Sequence, residues 1–400
     1  MFHSGTLIAA RNLILRQTRR AQNRARHAWK RLFEGGKDAV HAVGHAQEAA
    51  SNAAVNSYKT VYRAARRPVH AVRDRRSVLV EQWGWNRTEW QVERELAALT
   101  ASDGPLIVGP WLAEVGYEIL YWIPFLRWVR LAYRVDTSRV IAISRGGVGA
   151  WYDGIAGRYA EMWDHIEPAE FARRNAQRAE LKQMTSSPLE QDLVAAVTRA
   201  HGLADARVLH PSLMFRLFKL FWSGHRATGF LDAHTRFALQ RPPRLLDRGR
   251  LPREYAAVKF YAARSMPDTP DVRRRLRWMV DAMAERRPVV LLDCGLALDD
   301  HADYGFSPTE RILSARDLLE PRTNLGVQTD IIAHAASYVG TCGSLTWMAP
   351  MLGVNTSATF ADPEFLHAHL AVALRAFDRL EGPGAFSPLD LRALAPMLPS

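Results

Sequence analysis

Between residues 105 and 360, short apolar runs alternate with longer stretches of helical character. The runs have the length of buried strands, and the stretches between them are long enough for helices. We predict strands at 106–109, 139–144, 208–210, 255–261, 289–293, 338–340 and 355–360. We predict helices at 83–99, 118–133, 153–164, 168–182, 188–201, 270–287, 330–336 and 344–352. This strand–helix–strand spacing implies parallel sheets covered by helices on both faces.

A segment rich in Pro and Arg at 241–252 separates the strands into two sets. It has no hydrophobic periodicity, which is typical of a linker. The 400 residues are enough for two or three domains. We therefore predict an α/β protein with two tandem Rossmann-like domains and a cleft between them. The first domain spans 77–240, the second spans 253–400 with terminal helices, and a basic helical or partly disordered arm at 1–76 precedes both.

The basic charge of the chain is concentrated in this arm. Residues 1–76 contain 16 Lys+Arg and four Asp+Glu, whereas the rest of the chain has 37 of each, so the formal net charge of +12 belongs to the arm. Two apolar clusters interrupt the charges: Leu7, Ile14 and Leu15, and then Trp29, Leu32 and Phe33. This basic amphipathic pattern favours an anionic membrane surface. A solvated tail fits almost as well, and a mitochondrial targeting peptide has a similar composition. Nucleic acid is the least favoured partner, because no aromatic stacking platform accompanies the charge.

The composition excludes several classes of protein. With 48% apolar and 24% charged residues, the chain matches an ordinary globular protein rather than a disordered or collagenous one. The two cysteines, Cys294 and Cys342, lie in apolar stretches, so we expect buried, reduced thiols and a reducing compartment. No apolar run approaches the roughly 20 residues of a membrane-spanning helix. We expect a cytoplasmic protein, either free or peripheral at the inner face of the membrane.

The most informative local motif follows the strand at 338–340. Its sequence is Tyr-Val-Gly-Thr-Cys-Gly-Ser, and an apolar helix is predicted after it. Gly340 and Gly343 remove side chains where a ligand must come close, and Thr341 and Ser344 supply hydroxyl groups. The free N–H groups at the start of the helix would suit a phosphate. An ordinary strand-to-helix turn with Ser344 as its N-cap explains the motif equally well.

Two cations belong to the same half of the chain. Lys259 lies in the strand predicted at 255–261, and Arg264 follows that strand. Because the carboxyl ends of parallel strands meet at one edge of a sheet, Arg264 and residues 341–344 would share a rim. A pyrophosphate there would meet the ammonium group of Lys259, the guanidinium of Arg264 and the N-terminus of the helix predicted at 344–352. Taken singly, each cation is explained at least as well by solvation.

Residues 330–344 (Asp-Ile-Ile-Ala-His-Ala-Ala-Ser-Tyr-Val-Gly-Thr-Cys-Gly-Ser), with Ala349 and Gly353 downstream, carry a family resemblance. This segment is similar to the late donor-site segment of heptosyltransferase-like and fucosyltransferase-like enzymes. Residues 252–380 resemble the donor half of nucleotide-sugar-dependent glycosyltransferases of the GT-B fold. The resemblance implies that the turn and the following helix cradle the diphosphate of a nucleotide sugar. It also implies that the second domain binds the donor, that the first binds the acceptor, and that no cofactor is needed.

A second dense segment runs from Gly109 to Trp122 after the first strand, and its carboxylates Glu114 and Glu118 lie where the loop becomes a helix. The resemblance implies that the acceptor half supplies a carboxylate from this loop. An inverting transferase needs one base to take the proton of the acceptor hydroxyl. Glu114 is the better candidate because it lies in the loop, whereas Glu118 would brace the helix start. Opposition to the helix dipole explains both carboxylates without catalysis.

The loop after the second strand offers candidates for acceptor binding. Arg145, followed by Gly146 and Gly147, would meet an acidic acceptor or a lipid phosphate. Trp151 would stack on a sugar ring, and Asp153 would add a polar contact. An exposed loop arginine and a core tryptophan are the alternative interpretation, which is slightly favoured.

One acidic cluster has the composition of a metal site, with three carboxylates and one imidazole that suit Mg²⁺, Mn²⁺ or Zn²⁺. Its members are Asp299, Asp300, His301 and Asp303. Solvated acids at a helix start are the commoner explanation, so we expect no metal. His301 remains a candidate contact for the donor.

These observations predict a glycosyltransferase that moves a sugar from a nucleotide-diphosphate donor to a glycan, a polysaccharide or a lipid-linked acceptor. One alternative is a nucleotide-sugar epimerase of the same fold, which needs acid and base groups on both faces of the sugar. The other is a non-enzymatic scaffold whose arm binds a membrane surface or nucleic acid. Only six of the 53 basic residues are lysines, which suits a bacterial source with a GC-rich genome.

Overall fold

The computed structural model describes residues 73–177, 183–295, 302–364 and 366–397. The predicted arm therefore lies outside the described residues, apart from its last four positions. The described chain forms two parallel sheets covered by helices, which confirms the predicted α/β class. The strands of the two sheets fall within the predicted ranges 77–240 and 253–400.

The N-terminal sheet has four strands in the order β3-β2-β1-β4, and all pairs are parallel. Its strands are β1 (Leu106–Val108), β2 (Val140–Ser144), β3 (Arg158–Glu161) and β4 (Arg207–Leu209). The chain after β1 and β4 therefore emerges at the same edge of the sheet. Strand β3 replaces part of the helix predicted at 153–164, which was wrong. Pairing with Ile141–Ser144 at the sheet edge gives this polar segment a strand conformation despite its weak strand pattern.

The C-terminal sheet has six strands in the order β10-β9-β8-β5-β6-β7, again all parallel. Its strands are β5 (Ala256–Lys259), β6 (Val289–Leu291), β7 (Ile312–Ser314), β8 (Ser337–Thr341), β9 (Thr356–Phe360) and β10 (Phe386–Asp390). The strand order reverses between β5 and β8. In such sheets a crevice opens outside the carboxyl ends of the two strands at the reversal. Strands β7 and β10 were not predicted.

Ten α-helices cover the two sheets within the part of the chain that the structure describes. They are α1 (Arg73–Thr100), α2 (Ile123–Ala132), α3 (Pro168–Ala176), α4 (Pro188–Ala200), α5 (Ser212–Trp222), α6 (Thr228–Ala233), α7 (Pro270–Ala284), α8 (Asn324–Ala333), α9 (Met348–Met351) and α10 (His367–Asp378), besides a three-residue helical turn at Val115–Tyr117. Thr269 caps α7 by accepting a hydrogen bond from the Val272 N–H. Helices α5 and α6 were not predicted, and α10 is one of the terminal helices predicted without bounds.

The helix predicted at 118–133 does not begin as a regular α-helix. The turn Val115–Tyr117 is followed by a π-helical turn at Glu118–Trp122, and α2 begins only at Ile123. Every residue of the π-helical turn is buried. Such turns are rare and occur often at functional sites.

The two halves of the chain share one apolar core. Trp111 and Trp122 from the N-terminal half stack with ring centroids 5.8 Å apart, and the same core includes Leu325 and Trp347 from the C-terminal half. Helix α10 returns to the N-terminal half, where its Arg375 pairs with an aspartate of α6. The halves are therefore packed against each other along the edge where their strands end.

Neither cysteine forms a disulfide: Cys342 is buried and Cys294 is half-buried. Across the described ranges, no helix combines the length and the apolar character that crossing a bilayer requires.

Candidate functional site

The turn after β8 has an unusual backbone. Gly343 has a φ of 139° and Ser344 a φ of 46°, in the region that favours glycine. A serine at such a φ is strained, and strain of this kind clusters at ligand-binding turns. The hydroxyl of Tyr261 lies against Gly343, where any Cβ would clash with it. The helix predicted at 344–352 is a 3-10 turn (Ser344–Trp347) followed by the single turn of α9, so a helix dipole contributes less here than the sequence predicts.

The hydroxyl group of Thr341 is bonded to the backbone of Tyr261 instead of facing this turn. The hydroxyl donates to the Tyr261 carbonyl (3.1 Å) and accepts from the Tyr261 N–H (3.0 Å), and the residue is fully buried. It ties the end of β8 to the chain leaving β5. Thr341 thus positions Tyr261, and the predicted phosphate contact through its hydroxyl was wrong because that group is already bonded on both sides.

Lys259 is buried at the end of β5. Its Nζ lies 3.3 Å from Oδ1 of Asp303 and 2.9 Å from the Leu292 carbonyl oxygen. Asp303 also accepts a hydrogen bond from the Cys294 N–H at 3.0 Å. The lysine charge is therefore paired inside the fold. The remaining members of the predicted acidic cluster, Asp299, Asp300 and His301, lie outside the described residues.

Arg264 lies in the loop after β5, exposed to solvent. The loop is tightened by a backbone bridge between Ala263 and Met266. Arg264 therefore follows the same strand end as Tyr261, at the edge of the sheet where the strand order reverses between β5 and β8. Of the predicted donor contacts, Arg264, Gly343 and Ser344 belong to this edge.

The loop after β1 is held rigidly on both sides. The side-chain amide oxygen of Gln183 accepts hydrogen bonds from the Leu112 and Ala113 N–H groups at 2.9 and 3.1 Å. Arg145 donates to the carbonyl oxygens of Trp111 and Ala113 at 3.1 and 3.0 Å. These contacts fix the backbone immediately before Glu114. Glu114 is exposed, and its side chain caps no helix N–H group.

A buried carboxylate supports Gln183 from behind. Glu190 is bonded to the Gln183 amide and lies 3.1 Å from Nε2 of His210, at the end of β4. Burial alone would raise the pKa of Glu190, but hydrogen bonds from His210 and Ser187 outweigh it and hold the pKa at about 2. Because Nδ1 of His210 accepts from the Ser212 N–H, both ring nitrogens are engaged within the fold.

The predicted acceptor contacts Arg145 and Trp151 are internal residues. Arg145 is 4% exposed and is occupied by the loop after β1, and Trp151 is buried with its Nε1 donating to the Thr329 hydroxyl at 3.1 Å. Both predictions of direct contact were wrong, because each polar group already has a partner inside the fold. Asp153 is exposed, and its role in acceptor binding stays a prediction.

Glycines 146 and 147 do not form a ligand-binding loop either. Their N–H groups donate to the carboxylate of Glu161 at 3.0 and 2.8 Å. The Gly146 carbonyl accepts from the Gly326 N–H of α8 at 2.8 Å. The two glycines therefore allow the N-terminal half to pack closely against α8.

Glu118 lies in the π-helical turn and is fully buried. Its Oε1 accepts hydrogen bonds from the hydroxyls of Ser144 and Tyr152, both at 2.6 Å. Among the described residues, Oε2 has no hydrogen-bond partner. Burial raises the pKa of Glu118 to about 7, although the two hydroxyls and the nearby Arg145 oppose the shift. Since no part of Glu118 reaches the surface, it can act on a substrate only through its neighbours.

The two strand-end loops meet at Gly116. A Cβ built on Gly116 would lie 2.9 Å from the backbone nitrogen of Ser344 and 3.5 Å from Nε1 of Trp347. One residue further, Tyr117 approaches His369 of α10, and the Tyr121 hydroxyl lies 2.7 Å from Nδ1 of the same imidazole. The exposed Glu114 precedes this contact by two residues in the same loop.

Sequence reasoning missed Gln183, Tyr261 and His369. Gln183 follows the helix predicted at 168–182, with no pattern that marks it as a buried brace. Tyr261 lies within the strand predicted at 255–261, and His369 lies on a terminal helix that was predicted without bounds. All three act through contacts distant in sequence, for which a single sequence has no signal.

Comparisons with known proteins give structural matches only. No model of a protein family matches the sequence, and no curated protein matches it. The glycosyl transferase family 9 structure from Veillonella parvula is 10% identical, with a TM-score of 0.37, and the match covers 74% of this chain and 90% of that one. The ADP-heptose lipopolysaccharide heptosyltransferase II of E. coli is 12% identical, with a TM-score of 0.36 and coverage of 65% and 86%. An E. coli heptosyltransferase with ADP is 14% identical, with a TM-score of 0.34 and coverage of 73% and 98%.

Proposed function

We propose that this chain is a glycosyltransferase that moves a sugar from a nucleotide-diphosphate donor to a glycan, a polysaccharide or a lipid-linked acceptor. The contact between Gly116 and Ser344 carries the proposal. This contact joins the carboxylate-bearing loop after β1 of the N-terminal sheet to the turn after β8, where the strand order of the C-terminal sheet reverses. A transfer reaction between two substrates needs this kind of meeting of two loop sets.

The donor would bind along the carboxyl ends of β5 and β8. Its diphosphate would meet the Arg264 guanidinium and the backbone at Gly343 and Ser344, and the Ser344 hydroxyl would add a donor. Arginine suits this role because its planar fork matches phosphate oxygens. Lys259 would act indirectly, since its charge is already paired with Asp303.

Glu114 would serve as the general base. Its carboxylate takes the proton of the acceptor hydroxyl while that oxygen forms a bond to the anomeric carbon. The bond between that carbon and the donor phosphate oxygen breaks, and the nucleoside diphosphate leaves with the electron pair. The braces from Gln183 and Arg145 hold the loop before Glu114 in one position, which lowers the entropic cost of aligning the base. We assign no metal or cofactor to this reaction.

Calorimetric titration with nucleoside diphosphates tests the donor site. Arg264→Ala should weaken binding more than tenfold, because a charged hydrogen bond contributes ~1.5–3 kcal/mol, and Ser344→Ala should weaken it less. Arg274→Ala removes an exposed arginine on α7 and is the matched control, with unchanged affinity. Unchanged affinity in both site variants would place the donor elsewhere.

A panel of nucleotide sugars, followed by mass spectrometry, separates this proposal from its rivals. A glycosyltransferase should slowly release nucleoside diphosphate without acceptor. Conversion of the donor sugar into its epimer would identify an epimerase instead. A chain that neither binds nor turns over any nucleotide sugar would be a scaffold.

A further inference from the structure

A second group of ligating side chains lies where α1 packs against the end of α6. Glu89 and Glu93 are one turn apart on α1 and project from the same face. His234 follows α6 directly. One ligating atom from each of the three residues lies within 4.8 Å of the other two.

The hydrogen bonding of His234 fixes where its lone pair points. Its Nδ1 lies 2.8 Å from the Phe230 carbonyl oxygen, which can only accept, so Nδ1 carries a proton. In the neutral ring Nε2 is then an acceptor, and it faces Oε1 of Glu93 at 3.5 Å. The side chain of His234 is 7% exposed. The side chain of Glu93 is 44% exposed, so the pair lies at the protein surface on the side of the carboxylate. Two acceptors that face each other at this distance are both satisfied by a cation or a further proton between them.

Arg226 holds the Glu89 carboxylate through one of its two oxygens, Oε2. Arg226 donates from Nη2 and Nε to the same carboxylate oxygen, Oε2, at 2.9 and 3.3 Å. Oε1 of Glu89 is the other ligating atom on that carboxylate. A carbonyl behind the histidine and a guanidinium behind a carboxylate are the outer partners that orient metal ligands in proteins.

We propose that Glu89, Glu93 and His234 form a binding site for a divalent ion of the Zn²⁺ type, which clasps α1 to α6. The imidazole and two carboxylates are ligands that Zn²⁺ accepts, and with bonds of 2.0–2.1 Å the edge of its tetrahedron is about 3.4 Å. The observed 3.5 Å between Nε2 and Oε1 matches that edge. Mg²⁺ and Ca²⁺ prefer oxygen ligands throughout and fit the imidazole poorly.

The competing arrangement is a protonated His234 paired with Glu93. It satisfies the same distance with a proton instead of a metal, and it gives the site no affinity for Zn²⁺. The two arrangements differ in the number of carboxylates that they require. Both carboxylates are needed for a metal, whereas one is enough for an ion pair.

Titration of the metal-free full-length protein with Zn²⁺ alone decides between them. We expect binding of one ion with a rise in Tm, and with Co²⁺ as a spectroscopic probe we expect ligand-field bands of a site with nitrogen and oxygen ligands. Glu93→Gln keeps the shape of the side chain and should weaken Zn²⁺ binding at least tenfold. Glu95→Gln removes a carboxylate from the same helix, where it pairs with Arg216, and should bind like the wild type.

Equal Zn²⁺ affinity in Glu93→Gln and Glu95→Gln would overturn the proposal, as would a wild-type Tm that does not respond to Zn²⁺. His234→Ala should also lose the metal, but its buried position puts folding at risk. The isosteric Glu93 variant therefore decides the matter. Nucleoside-diphosphate affinity should be the same in Glu93→Gln and Glu95→Gln as in the wild type, so this outcome is independent of the proposed reaction.

Discussion

The backbone nitrogen of Ser344 lies 2.9 Å from the position that a Cβ on Gly116 would occupy. Real Cβ atoms do not approach backbone this closely, so the two loops can meet only because residue 116 is a glycine. Neither loop can retreat freely: the loop before Gly116 is braced by Arg145 and Gln183, and the turn at Ser344 closes on the shared apolar core.

Gly116→Ala should push the two strand-end loops apart. We expect a loss of ~1–3 kcal/mol in the free energy of unfolding, as for other overpacked sites, and a larger proportional loss of transfer activity. Denaturant unfolding measures the first, and a donor-release assay measures the second. Gly229→Ala is the control, because a Cβ there meets nothing within 4 Å. Wild-type stability in Gly116→Ala would mean that the loops do not touch in solution.

Glu114→Gln should abolish the base while keeping the shape of the loop. Turnover should fall by ~10²–10⁴ with donor affinity nearly unchanged, since the base acts only on the acceptor proton. Steady-state kinetics with a matched acceptor provide the measurement. Glu167→Gln, an exposed carboxylate before α3 whose side chain caps no N–H group, should leave turnover unchanged. Full turnover in the Glu114 variant would direct attention to Asp153 or Glu118.

Arg145→Lys tests whether this arginine braces the loop or binds the acceptor. Lysine keeps the charge but cannot serve two carbonyl oxygens with a planar fork. We expect a loss of ~1–3 kcal/mol in stability and a lower kcat with little change in the KM of the acceptor. A raised KM with unchanged stability is the signature of an acceptor contact instead.

The buried Glu118 should make stability depend on pH. Its pKa is about 7 in the fold against an ordinary value of 4.5, so the folded state holds the proton more tightly. Its contribution to the free energy of unfolding is complete below about pH 4.5 and is lost as the pH rises to 7. Above pH 7 the free energy of unfolding no longer changes because of this group.

Glu118→Gln stays neutral at every pH and should remove this dependence. Between pH 4.5 and 8, the wild type should lose on the order of 3 kcal/mol of unfolding free energy relative to the variant. Urea unfolding across this range is the measurement, and a constant difference between the two proteins would show that the carboxyl is not perturbed.

Removal of residues 1–72 tests the membrane role predicted for the arm. The truncation deletes 13 Lys+Arg and three Asp+Glu and leaves α1 whole. Each basic residue near an anionic surface contributes about 1 kcal/mol to the free energy of membrane binding. Salt screens this attraction beyond a Debye length of about 8–10 Å. Sedimentation with anionic liposomes should therefore be lost, with nucleoside-diphosphate affinity unchanged. If the truncated protein still sediments with liposomes, the membrane contact lies in residues 73–400. If the full-length protein does not bind liposomes even at low salt, the arm is a solvated tail.

The sequence predicts the strands best where they are apolar throughout. The runs around Val140–Ser144 and Val289–Leu291 are buried on both faces, so each signal is local. Strand β3 (Arg158–Glu161) was missed because its strand conformation depends on pairing with β2, a contact the local pattern does not record. The turn at Ser344 was found because its small residues are consecutive.

The site is harder to predict than the fold because polar side chains have partners inside the protein. Arg145, Thr341 and Trp151 have the residue types of a binding site, yet each polar group is satisfied by a backbone or hydroxyl group from a distant segment. Glu114 is left exposed by the same contacts that bury its neighbours. Only the folded arrangement distinguishes a brace from a ligand contact.

Helix α10 has a consequence for how the cleft can open. The chain passes between the halves three times: in the segment 241–252, before α10, and between α10 and β10. The first crossing is also tied to α8, because the Leu245 and Leu246 N–H groups donate to the carboxylate of Asp330. A body joined to another at several separated points retains few degrees of freedom. The two halves are therefore restrained from moving apart, and the contact between Gly116 and the turn at Ser344 is restrained with them.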